Sequence, residues 1–192
     1  IEEVKLPHCL KNKTPGKLPD YLLKEIKPYG KLIYLAANAW HALRAAAAND
    51  GITLKPTSEA DTYRSLSFQT TQFLKRYQTT PIEGASTRHY DGKVWYLKPN
   101  FAPMASPGTS NHNKGIAVDV ANSTEKPRMQ WLHDNVKDFG FSWELLEEPW
   151  HIRYWAGDDV PQKVQDWISN NPTLAYEDGE DPEQHNRNLE NH

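Results

Sequence analysis

Ser110-Asn111-His112-Asn113-Lys114-Gly115-Ile116-Ala117-Val118-Asp119 reads as a loop that opens into a strand. Gly115 lets the chain leave the loop. Beyond it, side chains alternate with period two, so Gly115, Ala117 and Asp119 share one face and Ile116, Val118 and Val120 share the other. The branched face can pack on a core. The small face ends in a carboxylate with room above it for an ion and a substrate. His112 offers an imidazole nitrogen and Asp119 a carboxylate oxygen, both ligand types that zinc accepts. Taken alone, the pair is equally compatible with an ordinary loop followed by a strand.

A second stretch, Glu148-Pro149-Trp150-His151-Ile152-Arg153-Tyr154-Trp155, is again an alternating strand. It puts Trp150, Ile152 and Tyr154 on one face and His151 on the other. His151 supplies a third ligand. Two His and one Asp leave a zinc ion with an open fourth position, the pattern of a catalytic site rather than a structural one. In an unbroken strand Glu148 would point to the face opposite His151 and lie roughly 10 Å along the chain. Pro149 argues for a bend, and with that bend Glu148 can stand beside the metal as a general base without binding it.

These two stretches together, Ser110-x-His112-x-x-Gly115-x-Ala117-x-Asp119 and Glu148-Pro149-Trp150-His151, resemble the paired signature of the zinc D-alanyl-D-alanine peptidases. That family includes vancomycin-resistance peptidases and several phage endolysins, and shares a fold with the amino-terminal domain of hedgehog proteins. The resemblance covers residues 54–155. It implies zinc on His112, Asp119 and His151, with Glu148 as catalytic base. It extends to Tyr63-Arg64-Ser65 and Gln69, where family members carry a Tyr-Arg-Ser followed by a Gln. Arg64 is thereby expected over the metal, where its planar, permanently charged fork can bind a carbonyl oxygen as it becomes an oxyanion. A surface ion pair is the other reading of Arg64. Ser110, Gln69 and Trp150 are the expected substrate contacts. Glu59-Ala60-Asp61-Thr62 departs from the small Ser-Gly lead-in of the family.

Length and composition limit the alternatives. At 192 residues the chain suits one domain with a substantial core, or one domain with tails. A formal charge of −3 carries no basic excess, and no nucleic-acid motif is present. One cysteine, Cys9, excludes an intrachain disulfide and a Cys-based zinc site. No apolar run approaches the 18 or so residues of a membrane span. The first residue is Ile1, consistent with either a removed leader or a trimmed chain.

In order along the chain, residues 1–19 lack a period and read as an arm that wraps the domain or is partly mobile, with His8 at the surface. Helical spacing of Leu32, Ile33, Ala36, Ala37, Trp40, Leu43 and Ala47 predicts a helix over 28–49, stopped by Gly51, with His41 as a structural residue beside its apolar stripe. A strand is expected over 52–56, and Thr62 to Ser65 open a second helix running to about Tyr77. Residues 79–108 form a long excursion with one short strand over 93–97. Trp95 or Tyr96 faces substrate from it, or a hairpin turns both inward. His89 is read as solvated. A third helix starts at Pro127, carries Met129, Trp131, Leu132, Val136 and Phe139 on its apolar side, and stops at Gly140. It leaves His133 exposed and connects the two ligand strands, making Asp119 and His151 strand neighbours. A closing helix spans 160–168. Beyond Tyr176, six acids against one Arg have the composition of a disordered tail, whose His185 and His192 are not ligands. Removal of 176–192 is therefore expected to leave stability unchanged.

The expected fold is α+β, a small antiparallel sheet flanked by helices, hedgehog-like and D-Ala-D-Ala-peptidase-like. Residues 1–19 form an arm, 20–170 a zinc peptidase domain and 171–192 an acidic tail. The resemblance implies a monomer with one zinc ion per chain that acts on peptidoglycan stem peptides at the bacterial cell wall, periplasmic, extracellular or phage-delivered. Neither nucleic acid nor a membrane span is expected. D-Ala-D-Ala carboxypeptidase activity leads. An endopeptidase cutting an L-Ala to D-Glu or cross-bridge bond, and a zinc-holding binding module without catalysis, stand beside it.

Overall fold

The structure, a computed structural model, describes residues 1–176. Helix α1 (Tyr34–Asn49) runs through its core, with Ala36, Ala37, Ala39, Trp40, Leu43 and Ala47 almost wholly buried. Alanine has the highest helix propensity and lets neighbouring elements approach closely. Strands β1 (Leu23–Glu25) and β2 (Lys31–Ile33) form a hairpin ahead of it. The expected start at residue 28 is thus too early. Leu32 and Ile33 fit the helical spacing because the end of β2 and the helix stripe enter the same core.

Helix α2 (Leu66–Arg76) is capped by Ser65, whose Oγ accepts from the Phe68 N–H at 3.1 Å. Thr62 to Arg64 precede the helix and do not open it. Residues 52–56 run extended beside the end of the ligand strand, but form only one isolated bridge, Pro56 to Val120. Proline cannot donate to a ladder. The excursion holds a three-stranded antiparallel sheet rather than one strand: β3 (Tyr77–Gln78), β4 (Thr87–Tyr90) and β5 (Lys93–Leu97), in the order β3-β5-β4. Trp95 packs edge-on to Phe73, with ring centroids 5.6 Å apart, and donates to the Tyr90 carbonyl. Trp95 thus turns inward, and neither it nor Tyr96 is among the residues lining the cleft described below.

The last sheet has the order β6 (Ala117–Asp119), β8 (His151–Tyr154), β7 (Phe141–Trp143), all antiparallel. Ile116, Val118 and Val120 enter the core as the alternation requires, and so do Ile152 and Tyr154 from β8. Trp150 lies outside that strand and is 40% exposed. Helix α3 (Lys126–Asn135), extended by a 3-10 turn over Val136–Phe139, carries the chain from β6 to β7. Helix α4 (Gln162–Asn170) packs against α1.

The arm and the end of the described chain are both docked. Leu10 and Leu18 are buried, and Lys5 N–H bonds the Trp155 carbonyl at 2.9 Å. At Gly16 (φ 83) the backbone passes so close to α2 that a Cβ would lie 2.6 Å from the Leu66 nitrogen. Gly16 N–H reaches the Asn113 carbonyl, and its own carbonyl accepts from Leu66 N–H, so the arm ties the His112 loop to α2. Tyr176 exchanges two hydrogen bonds with the buried Asn38 side chain, at 2.8 and 2.9 Å, and its hydroxyl donates to the Glu25 carbonyl. The acidic stretch therefore begins after this anchor, and the expectation for residues 176–192 fails at Tyr176. Residues 177–192, with His185 and His192, lie outside the described part. Among the described residues no helix is long and apolar enough to cross a membrane.

Candidate metal centre and cleft

Asp119 closes β6, His151 opens β8, and the two are direct partners in the antiparallel register. Cross-strand partners project to the same face. The pairing sets His151 Nδ1 2.9 Å from Asp119 Oδ1. His112 arrives from the loop. Ser110 Oγ accepts from the His112 N–H at 3.1 Å, and Gly115 N–H returns to the His112 carbonyl. Gly115 (φ 69) lies where a Cβ would press on Ile33 at 3.0 Å. That loop places His112 Nε2 3.2 Å from the same Asp119 oxygen. His112 Nδ1 lies 2.8 Å from the Thr62 carbonyl, an acceptor, so Nδ1 carries a proton and Nε2 is the nitrogen turned toward Asp119.

The three donor atoms lie within 4.8 Å of one another, on residues that are 3 to 9% exposed. A tetrahedron on bonds of about 2.0–2.1 Å has donors roughly 3.3 Å apart. The observed separations of 2.9 and 3.2 Å approach that value, and two imidazoles with one carboxylate leave a fourth position open. The set fits zinc. Burial pushes the Asp119 carboxyl up, but hydrogen bonds and charge from His112 and His151 outweigh it and hold the group well below the usual carboxylate range. For His151, burial favours the neutral ring, yet the Asp119 and Glu144 carboxylates outweigh it and raise the pKa to about 9. The negative field that holds a proton here is the field for which a dication competes.

A cleft of about 530 Å³ opens over these atoms, lined among others by Arg64, Ser110, Glu148 and Trp150. Arg64 lies between Asp61 and Asp119, with its side chain largely buried. Its Nη2 pairs with Asp61 at 2.8 Å and its Nε donates to the Ala60 carbonyl, while the same Nη2 is 3.6 Å from Asp119 Oδ2. The ion pair with Asp61 aims the guanidinium toward Asp119. In the departing Glu59-Ala60-Asp61-Thr62 segment, then, Asp61 and Ala60 orient Arg64 and Thr62 orients His112.

The bend at Pro149 is present. His151 N–H bonds the Glu148 carbonyl at 3.0 Å, and Glu148 N–H the Leu145 carbonyl, so the chain folds back and Glu148 lines the cleft, half-buried. Gln69 stands elsewhere. It is fully buried, outside the cleft lining, with its Nε2 donating to the Ala105 carbonyl at 3.0 Å. It supports the wall formed by residues 102–105 from behind and does not face the cleft.

Sequence reading missed Glu144, whose Oε2 is 2.6 Å from His151 Nε2, and the arginines Arg76 and Arg88 of the cleft wall. Glu144 follows β7 by one residue, and extending the register beyond the Trp143–Ile152 pair puts it opposite His151. Its signal was strand pairing, which needs two segments. His41 lies far from the cleft lining and accepts from the Lys27 N–H at 3.1 Å, a structural role. His8, His89 and His133 are exposed, the last stacked on Trp143.

The family model of VanY, D-alanyl-D-alanine carboxypeptidase, matches residues 31–157. A D-alanyl-D-alanine carboxypeptidase of Enterococcus faecium is 32% identical over a match covering 38% of this chain and 29% of that protein. One from Enterococcus faecalis is 35% identical over 32% of this chain and 28% of its own length. Each match thus spans less than a third of the curated relative. Among solved structures, a zinc(II) complex of a vancomycin-resistance D,D-pentapeptidase VanY variant superposes with TM-score 0.50 at 19% identity, covering 79% of this chain and 93% of that one. VanYB in complex with D-alanine-D-alanine gives 0.52 at 19% identity, over 89% and 97%. The LdcB LD-carboxypeptidase gives 0.51 at 21%, over 82% and 77%. At these identities the structures show a shared fold.

Proposed function

Since this chain belongs to the D-alanyl-D-alanine carboxypeptidase family, we propose that it is a zinc peptidase acting on peptidoglycan stem peptides, with terminal D-Ala as the residue released. The observation that carries this reading is the convergence of His112 Nε2, Asp119 Oδ1 and His151 Nδ1 beneath a cleft that also contains Arg64 and Glu148. Zinc held by those three residues supplies Lewis acidity toward the scissile carbonyl and the attacking water. Glu148 takes the proton of that water and passes it to the leaving amine, a role that suits a half-buried carboxylate on a bend outside the ligand set. Arg64, fixed by Asp61 and the Ala60 carbonyl, donates to the carbonyl oxygen as negative charge builds there. Because the arginine is already oriented, little reorganisation accompanies the reaction.

Arg76 and Arg88 favour release of a terminal residue over cleavage within the chain. Both are tied back to the wall, to the Ala102 and Met104 carbonyls, so cationic groups line the cleft at fixed positions. A substrate with a free carboxylate finds a partner there. Arg88→Ala should raise KM more than it lowers kcat. The proposed domain is residues 1–176, since the arm and Tyr176 are both docked, and the proposed site of action is the bacterial cell wall.

Mass spectrometry of stem peptides and of whole peptidoglycan after digestion tests the reading. Loss of one alanine from a pentapeptide supports it. New amino termini within the stem or cross-bridge, with no alanine released, would replace it with the endopeptidase reading. Intact substrate in the presence of stoichiometric zinc would favour a zinc-holding binding module.

A further inference from the structure

The two ligand imidazoles are held differently on the side away from Asp119. Behind His112 stands a neutral acceptor, the Thr62 carbonyl, at 2.8 Å. Behind His151 stands a carboxylate: Glu144 Oε2 lies 2.6 Å from His151 Nε2, while Nδ1 of the same ring faces Asp119 Oδ1 at 2.9 Å. The ring is spanned between two anions, one at each nitrogen. Only Asp119 is on the metal side.

Glu144 is held at that position by its surroundings. It follows β7, whose end is fixed by two contacts: Trp143 Nε1 donates to the Pro149 carbonyl at 3.0 Å, and the Trp143 carbonyl accepts from Arg153 at 2.8 Å. Arg153 stands on the His151 face of β8, and its charge acts on Glu144.

Resting on the zinc reading of the site, we propose that Glu144 is a positioning residue for the metal centre. By accepting from His151 Nε2–H it fixes the tautomer that leaves the Nδ1 lone pair facing the metal and locks the ring rotation. Carboxylates behind metal-binding histidines act in this way, and their loss costs about 10- to 100-fold in metal affinity. Glu144 is not the base in this assignment. Both carboxylates line the cleft, but that of Glu144 is engaged by His151 Nε2, on the side of the ring away from Asp119, whereas Glu148 meets His151 through its backbone carbonyl.

The test is zinc affinity by chelator competition on Glu144→Ala, Glu144→Gln and the unaltered protein, with circular dichroism confirming that each is folded. The alanine variant should bind zinc about 10- to 100-fold more weakly. The glutamine variant should recover a large part of that loss, because its carbonyl still accepts from Nε2–H. In ¹⁵N spectra of the zinc form, His151 should be a pure Nε2–H tautomer in the unaltered and Gln proteins. Zinc affinity in Glu144→Ala within twofold of the unaltered protein would overturn the proposal, as would an Nδ1–H tautomer of His151. So would a Glu144→Gln protein with full zinc occupancy and at least a hundredfold loss of turnover, which would make Glu144 the base. If Glu144→Ala does not fold, the Gln variant and the ¹⁵N spectra still decide. Unaltered protein that binds no zinc removes both this proposal and the reading beneath it. Zinc bound with the expected tautomer but without peptide hydrolysis defeats the peptidase reading alone and supports this one.

Discussion

Individual side chains in this protein have separable tasks because the structure gives each one its own partners. Glu148 lines the cleft and is not in the ligand set, so Glu148→Gln should retain zinc and lose at least about 10²-fold in kcat, the lower end of a general base's contribution. Zinc content and turnover measured on one preparation check this. Loss of zinc in the Gln variant, with zinc retained in His151→Ala, would exchange the roles of the two residues. His41 provides a second prediction. Burial leads in pushing its pKa down to about 4, with the Arg44 and Lys27 charges adding to it, and Nε2 is occupied as an acceptor. The unfolded value is about 6.5, so the folded state binds the proton less readily. The stability associated with neutral His41 is therefore complete above about pH 6.5 and is lost as pH falls from there through 4. His41→Gln keeps an acceptor without a titrating proton. Between pH 7 and pH 5 its melting temperature should fall less than that of the unaltered protein, and equal falls would show that His41 titrates normally.

Elements bring these side chains together by pairing rather than by proximity in sequence. The central strand β8 is bonded on both sides, to β6 in the register that joins Asp119 to His151 and to β7 in the register that leads to Glu144. Ile152 and Tyr154 hold its other face in the core, at about 1.5–3 kcal/mol for each large apolar side chain buried. The end of the described chain is a second case. Asn38 is 4% exposed and both ends of its amide are satisfied by the Tyr176 backbone. A chain ending at Ala175 leaves that amide buried without partners, at about 1–3 kcal/mol, whereas one ending at Tyr176 does not. Thermal unfolding of the two truncations should differ by several degrees, with the longer one more stable. Equal melting temperatures would show that Tyr176 does not anchor in solution.

At the scale of the whole molecule, the candidate metal centre links parts distant in the chain, since the residues that would hold the ion and their supports come from residues 61–64, 110–119 and 144–153 with the arm fastened across them at Gly16. A ligand that binds only the folded state stabilises all of it. Free zinc at a hundred times its dissociation constant should add about 2.7 kcal/mol, and for a chain of this length that is a rise of roughly 5–10 °C in melting temperature. Chelation should reverse the rise, and His151→Ala should abolish it. An unchanged melting temperature on zinc loading would show that the site is not a folding constraint.

The sequence alone was sufficient for the faces of the two strands that carry Asp119 and His151. Alternation at Ile116, Val118 and Val120, and at Ile152 and Tyr154, is a local consequence of strand geometry, and the core-facing sets are where that rule puts them. Asp119 and His151 are strand neighbours as expected, although α3 leads from β6 to β7 and β7 then returns to β8 between them. Tertiary structure decided what depends on partners far along the chain. The residues before Tyr34 became a strand because a hairpin partner was available at 23–25. Gln69, which matched the resemblance by position, turned into the core because the wall at Ala105 needed a donor. Glu144 had no motif of its own. Its role exists only because β7 pairs with β8, and a strand register is a property of two segments that neither segment's sequence contains by itself.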